Sequence, residues 1–449
     1  MRLYSKRESI TLISGDILVL ALSLVLSLVA RYGPDFTSDV LKEHAVPFAI
    51  LFAVWIFVFF IFGLYEKHTI VFLNRLPFSI VNAQVVNAFF AILFFYFVPY
   101  FGIAPKTNLF LFLLVSSVLI MVWRIKGYMF LSPKEKHKGI LIGGGAELKE
   151  LEREVNHNPI YGIEWVSVIS DDTVGAIDFQ KEVVERVYSE NISIVAVDLS
   201  NEKVGPILPR LYNLIFSKIK FMDMHKVYED IFNRIPLSLV KYSWFMENIS
   251  ASPKVVYDAT KRFLDVVVAG AIFILSLPFY VLVYVFIKLD DGGPIFIRQE
   301  RVGKDNKPIR IIKFRSMERD DAGEYGKTGP NKVTKVGAFL RKSRIDELPQ
   351  LWNVVRGDLS LIGPRPELPA LVKTYQEVLP YYNIRHLIKP GLSGWAQLYH
   401  DNHPHHSTDV SETKVKLSYD LFYLKNRSFI IDLKIILKTI KILLTFKGR

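Results

Sequence analysis

The sequence predicts a membrane protein of mixed architecture. Four transmembrane helices are followed by a small parallel α/β domain, then by a mainly helical domain that opens on one more membrane helix. Three observations predict this. Residues 1–131 hold four long, nearly uncharged apolar stretches. Residues 138–234 alternate short apolar runs with helical patterns. Residues 263–289 form a fifth apolar stretch, and the remainder to Arg449 is rich in charge and in Gly-Pro turns. A positive mean hydropathy and 13% aromatic residues are too apolar for an ordinary soluble enzyme.

Composition also bounds the chemistry. The formal charge of +12 calls for anionic partners, which a lipid surface and phosphorylated substrates supply without nucleic acid. The chain has no cysteine, which excludes disulfides, zinc–thiolate sites and thiol nucleophiles.

Residues 45–65 (AVPFAILFAVWIFVFFIFGLY) are uncharged and long enough for a bilayer core of about 30 Å. Residues 76–104 and 107–123 read the same way, and residues 10–30 do so apart from Asp16. An acid in a span is a functional suspect, but this one lies near the span's cytoplasmic end and reads as a packing residue. Three further spans follow, which argues against a cleaved leader. Arg2, Lys6 and Arg7 precede the first span, and Arg124, Lys126, Lys134, Lys136 and Lys138 follow the fourth. Both ends of the bundle are therefore expected in the cytoplasm.

From Lys138, KGILIGGGAELKELEREV reads as a strand, a glycine turn and a helix. Residues 163–170, 192–200 and 220–224 read as further strands, so residues 138–234 are expected to form a Rossmann-like parallel domain. Gly143, Gly144 and Gly145, with Asp171 and Asp172 after the next strand, invite a nucleotide. Leu148 stands where the dinucleotide fingerprint needs its third glycine, so a structural or regulatory domain is the better reading. Tyr257 and Lys261 have the spacing of a short-chain dehydrogenase pair, but they adjoin an apolar segment. Residues 235–260 read as a connector.

The segment 263–289 carries Pro278 at its middle, and an interior proline kinks or breaks a helix. Lys261 and Arg262 flank one end, and Arg298, Arg301 and Lys304 follow the other. A broken, re-entrant helix keeps both groups in the cytoplasm, with Ser276 satisfying carbonyls freed at the break. A kinked spanning helix is the rival.

Residues 344–368, RIDELPQLWNVVRGDLSLIGPRPEL, set Asp346 and Glu347 in front of Pro349. Proline suits the first turn of a helix, and anions are favoured at a helix N-terminus. Neighbouring residues on a helix do not face each other, so the two acids are fitted to different tasks. Attack on phosphorus and holding a metal are two such tasks. Arg365, in a turn stiffened by Pro364 and Pro366, is a phosphate clamp by type.

The segment from Lys261 to Arg449 resembles the catalytic domain of the bacterial polyprenyl-phosphate glycosyl-1-phosphate transferases. The blocks GPIFIRQERVGKDNKPIRIIKFRSM, RIDELPQLWNVVRGDLSLIGPRPE and KPGLSGWAQ carry the likeness. With four spans and an α/β domain ahead, the whole chain resembles the long form of that family. The resemblance implies transfer of a sugar phosphate from a UDP-sugar, glucose or galactose, to polyprenyl (undecaprenyl) phosphate. It implies Asp346 as nucleophile, Glu347 on Mg2+, Arg341 and Arg365 on phosphate, and Lys313, Arg315 and Arg301 at the nucleotide end. It further implies a homodimer in the bacterial inner membrane with its catalytic face in the cytoplasm. A serine usually stands directly before the break proline; here Leu277 intervenes and Ser276 is one residue early. Arg344 stands where a small polar residue is common.

His400, His403, His405 and His406 read as a polar loop. Residues 429–447 read as an interfacial helix with Lys434, Lys438 and Lys441 on one stripe, which adds membrane lipid as a partner. A non-enzymatic scaffold or chain-length regulator, and a membrane-tethered oxidoreductase, are the rival functions. The first gives no reason for the acid pair, and the second lacks a complete fingerprint.

Overall fold

The computed structural model describes residues 6–65, 76–98, 106–131, 136–158, 161–175, 178–217, 219–249, 254–290, 292–317, 333–399 and 410–444. The chain forms two compact units, Met1–Asp230 and Ile231–Arg449. The histidine-rich stretch 400–406 lies outside the described residues.

The first unit opens with helices Lys6–Tyr32, Ser38–Ile61, Leu76–Phe97 and Lys106–Leu131. Each includes a stretch long and apolar enough to cross a bilayer. Aromatic side chains fill the bundle, with Trp55 stacked on Phe112 at 4.9 Å between ring centres. The first and fourth helices meet where Gly15 leaves room for the Trp123 ring; a Cβ there would stand 2.0 Å from it. Asp16 is fully buried, as a packing residue should be. Its carboxylate pairs with Arg124 and accepts from the Tyr65 hydroxyl at 2.7 Å. Arg124 also donates to the Leu64 carbonyl at 2.6 Å. Read from the sequence as a flanking charge, Arg124 is in fact buried, because a buried acid needs a partner.

The α/β part has four parallel strands, β1 His137–Gly143, β2 Ile163–Ser170, β3 Ile194–Val197 and β4 Lys220–Asp223, in the order β2-β1-β3-β4. Ile140, Ile142, Val195 and Val197 build its core with Ile169 and Leu211. The glycine turn is required by its own neighbours. A Cβ on Gly143 would lie 2.6 Å from Met224 Sδ, and one on Gly144 would lie 2.5 Å from the Asp171 carboxylate. Gly145 adopts φ +80. An acid pressed on the turn disfavours a phosphate there.

The second unit is organised along one helix, Val255–Asp290, which runs uninterrupted with Pro278 inside it. Ser276 Oγ donates to the Phe273 carbonyl at 2.7 Å, just before the proline. Arg262 donates to the carbonyls of Val354 and Val355 at 2.6 and 2.7 Å. Asp265 accepts from Ser360 Oγ at 2.6 Å and from Leu361 N at 3.2 Å. Further along, Ala269 packs on Leu351 and Val354, and Val283 and Ile287 pack on Phe314 and Leu340. At the far end Asp290 accepts from Val336 N at 3.0 Å. The same helix therefore touches one folded unit from end to end. Its other face exposes Ile274, Leu275, Val281 and Leu289.

Around that helix lie an antiparallel hairpin, β5 Phe296–Val302 with β6 Pro308–Phe314, and a parallel pair, β7 Ser360–Ile362 with β8 Gly391–Ser393. Tyr257 and Lys261 have a structural task. Both donate to Asp432, at 2.7 and 3.0 Å, and Tyr423 donates to the same carboxylate at 2.8 Å. Asp432 belongs to the tail helix Phe429–Leu444, which turns Ile435 and Leu437 inward and Ile430, Leu433 and Leu443 outward. Of the expected lysine stripe, Lys438 lies over the Tyr399 ring at 3.5 Å.

Candidate active site

The helix Lys335–Ser343 is capped by Thr334, whose hydroxyl accepts from Gly337 N at 2.9 Å. Gly337 lies against the Ser316 backbone; a Cβ would stand 2.0 Å from its carbonyl oxygen. This close approach fastens the helix to the KFRSM block. The helix ends at Arg344, which takes the left-handed conformation at φ +57. A single 3-10 turn, Ile345–Glu347, carries the acid pair, and Pro349 then leads into the helix Gln350–Arg356. Asn353 secures that second helix. Its Oδ1 accepts from Ile312 N at 3.0 Å, and its Nδ2 donates to the Arg310 carbonyl at 2.8 Å and to Asp358 at 3.1 Å. The acids thus sit on a turn clamped at both ends, one step earlier than the helix tip expected from the sequence.

Glu347 accepts from Arg365 Nη2 at 2.8 Å on Oε1, and Arg344 Nη1 stands 3.8 Å from Oε2. Burial pushes the Glu347 carboxyl up, but the charges of Arg365, Lys313 and Arg344 outweigh it and hold the group well below the ordinary range. Asp346 goes the other way. Burial and the charge of Glu347 raise its carboxyl, and Lys313, Arg365 and Arg341 offset only part of this. The two neighbouring acids are thus shifted in opposite directions. Burial lowers the ammonium of Lys313, against the pull of Glu347, and Arg365 and Arg301 also bear on it.

Of the expected residues, Asp346, Glu347, Lys313 and Arg365 bear on one another, Arg341 bears on Asp346, and Arg301 bears on Lys313. Arg315 is buried with its guanidinium against Gly293, within 1.7 Å of where a Cβ would stand. Ser276 and Pro278 belong to the long helix, four and two residues before Tyr280, whose ring meets Phe314 at 4.8 Å beside Lys313. Among the described residues no cluster of three or more His, Asp or Glu side chains could hold a metal ion. Two neighbouring carboxylates suit Mg2+, which keeps several waters and completes its shell with substrate phosphate oxygens.

The sequence reading missed the layer beneath Arg365. Arg385, fully buried, donates to the Arg365 carbonyl at 2.9 Å and to the Tyr382 hydroxyl at 2.8 Å. Its guanidinium also lies 2.8 Å from Asp420 and 3.8 Å from Glu367. Lys416 pairs with Glu367, whose main-chain oxygen accepts from Val302 N at 2.9 Å. The signal available was a lone arginine in the apolar run YNIRHLI.

Residues 256–446 match the bacterial sugar transferase family. The chain is 41% identical over 214 residues to the UDP-N-acetylgalactosamine-undecaprenyl-phosphate N-acetylgalactosaminephosphotransferase of Aeromonas hydrophila, covering 46% of this chain and 50% of that protein. It is 40% identical over 197 residues to the UDP-glucose:undecaprenyl-phosphate glucose-1-phosphate transferase of Caulobacter vibrioides, covering 43% of this chain and 73% of that one. A longer match, 28% identical over 363 residues, joins it to the undecaprenyl-phosphate glucose phosphotransferase of Komagataeibacter xylinus, covering 76% and 66%. The match spans half the length of the Aeromonas protein.

Proposed function

Since the chain belongs to the bacterial sugar transferase family, we propose that it moves a sugar 1-phosphate from a UDP-sugar to undecaprenyl phosphate, with release of UMP. The observation that carries this is Asp346, a half-buried and raised carboxyl beside the low-lying Glu347 and within the field of Lys313, Arg341 and Arg365. An Asp346 oxygen bonds to the sugar-linked phosphorus as the bond to the UMP oxygen breaks. An oxygen of the lipid phosphate then bonds to the same phosphorus, and the aspartyl bond breaks. Splitting one displacement into two is the gain of covalent catalysis. Arg365 and Lys313 orient the diphosphate, and the Arg385 bond to the Arg365 carbonyl keeps that turn in place. Glu347 would hold Mg2+, which neutralises diphosphate charge when bound.

The sugar is proposed as glucose or galactose. UMP release is to be measured with UDP-glucose, UDP-galactose and their N-acetylated counterparts, each with undecaprenyl phosphate. Release from a hexose donor supports the reading, and silence with every donor overturns it in favour of a non-enzymatic scaffold.

The pH profile is a second test. Asp346 must be ionised to attack, and its raised pKa leaves fewer carboxylates at any given acidic pH. Transfer is therefore expected to fall, as pH drops, sooner than for an ordinary aspartate. A rate that holds down to the usual carboxylate range would show that burial and Glu347 do not act on the nucleophile.

The long helix supports a re-entrant placement. A 36-residue helix is about 54 Å long, against a hydrocarbon core of about 30 Å. Were it to cross, the strands and helix ends packed along it would enter lipid with unpaired backbone groups. Tags after Lys138 and after Arg449 are both expected to resist labelling from outside intact cells. Labelling of the C-terminal tag alone would mean that the helix crosses. On this reading the catalytic unit is proposed to lie on the cytoplasmic face of the bacterial inner membrane, and family likeness supports a homodimer.

A further inference from the structure

We infer that Arg344 and Arg365 are exchangeable counter-ions: they hold Glu347 in the free enzyme, and they pass to the phosphate oxygens of the nucleotide when a divalent cation takes over that carboxylate. The inference rests on the transferase reading. Both oxygens of Glu347 face a guanidinium, Arg365 at 2.8 Å and Arg344 at 3.8 Å. A cation on either oxygen repels the guanidinium facing it and so favours its withdrawal. A diphosphate offers oxygens on two phosphorus atoms, one group for each arginine.

The backbone singles out Arg344. Its φ of +57 lies in the left-handed region, where a Cβ crowds the following carbonyl oxygen and glycine does not. The end of the helix Lys335–Ser343 alone would favour glycine. The arginine side chain is turned to Glu347 instead, at a separation long for a charge-assisted pair. Its Nε is buried and has no hydrogen-bond partner among the described residues. In this arrangement the guanidinium is incompletely used, and a phosphate oxygen would complete it. Cation and diphosphate then help each other bind by equal factors, as linkage requires.

The test uses the full-length protein in detergent, with calorimetric titrations of UDP, of MgCl2, and of UDP at fixed MgCl2. Arg344→Gly keeps the backbone conformation and removes the charge; Arg344→Lys keeps the charge. The glycine variant is expected to melt no lower than the parent, to bind UDP with Mg2+ roughly tenfold more weakly, and to bind Mg2+ alone more tightly. The lysine variant is expected to recover most of the UDP affinity. A folded glycine variant unchanged in both affinities overturns the inference and leaves Arg344 a helix end. Weakened UDP with unchanged Mg2+ affinity also overturns the exchange. Failure of the parent protein to bind UDP under any condition overturns the transferase reading itself, and the inference with it.

Discussion

Asp346→Asn is expected to reduce UMP release by about four orders of magnitude or more, the scale on which removal of a covalent nucleophile is felt. The amide has the shape of the carboxyl but lacks its nucleophilic oxygen anion. The variant should nevertheless fold as well as the parent, or better. The folded-state pKa of Asp346 is raised, so its ionised form opposes folding above that pKa, and a neutral amide removes the opposition. The gain should be present at neutral pH and vanish in acid, where the parent's carboxyl is itself protonated. Melting temperature against pH, with UMP release on the same samples, checks both halves. A well-folded Asp346→Asn protein that still releases UMP at a substantial rate would remove the aspartate from the chemistry.

Arg385→Met should produce the largest loss of stability. The guanidinium stands among Asp420, Glu367, Tyr382 and the Arg365 carbonyl, all buried or nearly so. Breaking such a group by removing one partner costs about 3–5 kcal/mol, because the remaining carboxylate is left uncompensated. For a unit of this size the melting temperature should fall by roughly 10 °C. The double variant Arg385→Met with Asp420→Leu should regain most of that loss, since an apolar replacement of both partners is nearly neutral. Transfer should not return with stability, because the Arg365 carbonyl still lacks its donor. Full recovery of both would make Arg385 a purely structural residue.

The parts of the molecule that follow a local pattern were legible. Hydropathy alone located the four helices of the bundle, and short apolar runs between helical patterns located the parallel sheet, because each signal lies within one element. Asp346 and Glu347 stood out because two acids before a proline are costly without a task. Pairs that close over long sequence distances left no such trace. Arg124 finds Asp16 across 108 positions, and nothing periodic distinguishes it from a charge at a helix end. Arg385 and Asp420 are hidden for the same reason. Tyr257 and Lys261 show the opposite error: a spacing that imitates an active-site pair serves a carboxylate 175 and 171 positions away. Proline at 278 was read as a break, whereas the helix Val255–Asp290 continues through it.

That carboxylate, Asp432, bears on the order in which the second unit can be completed. Its three donors come from the start of the long helix and from the helix Val410–Asn426, all of which precede Asp432 in the chain. A chain made from its N-terminus therefore carries Tyr257 and Lys261 without their acceptor while the 171 positions from Lys261 to Asp432 are added. The long helix and the tail helix can be clasped together only after that interval, so this joint closes late however early the long helix itself forms.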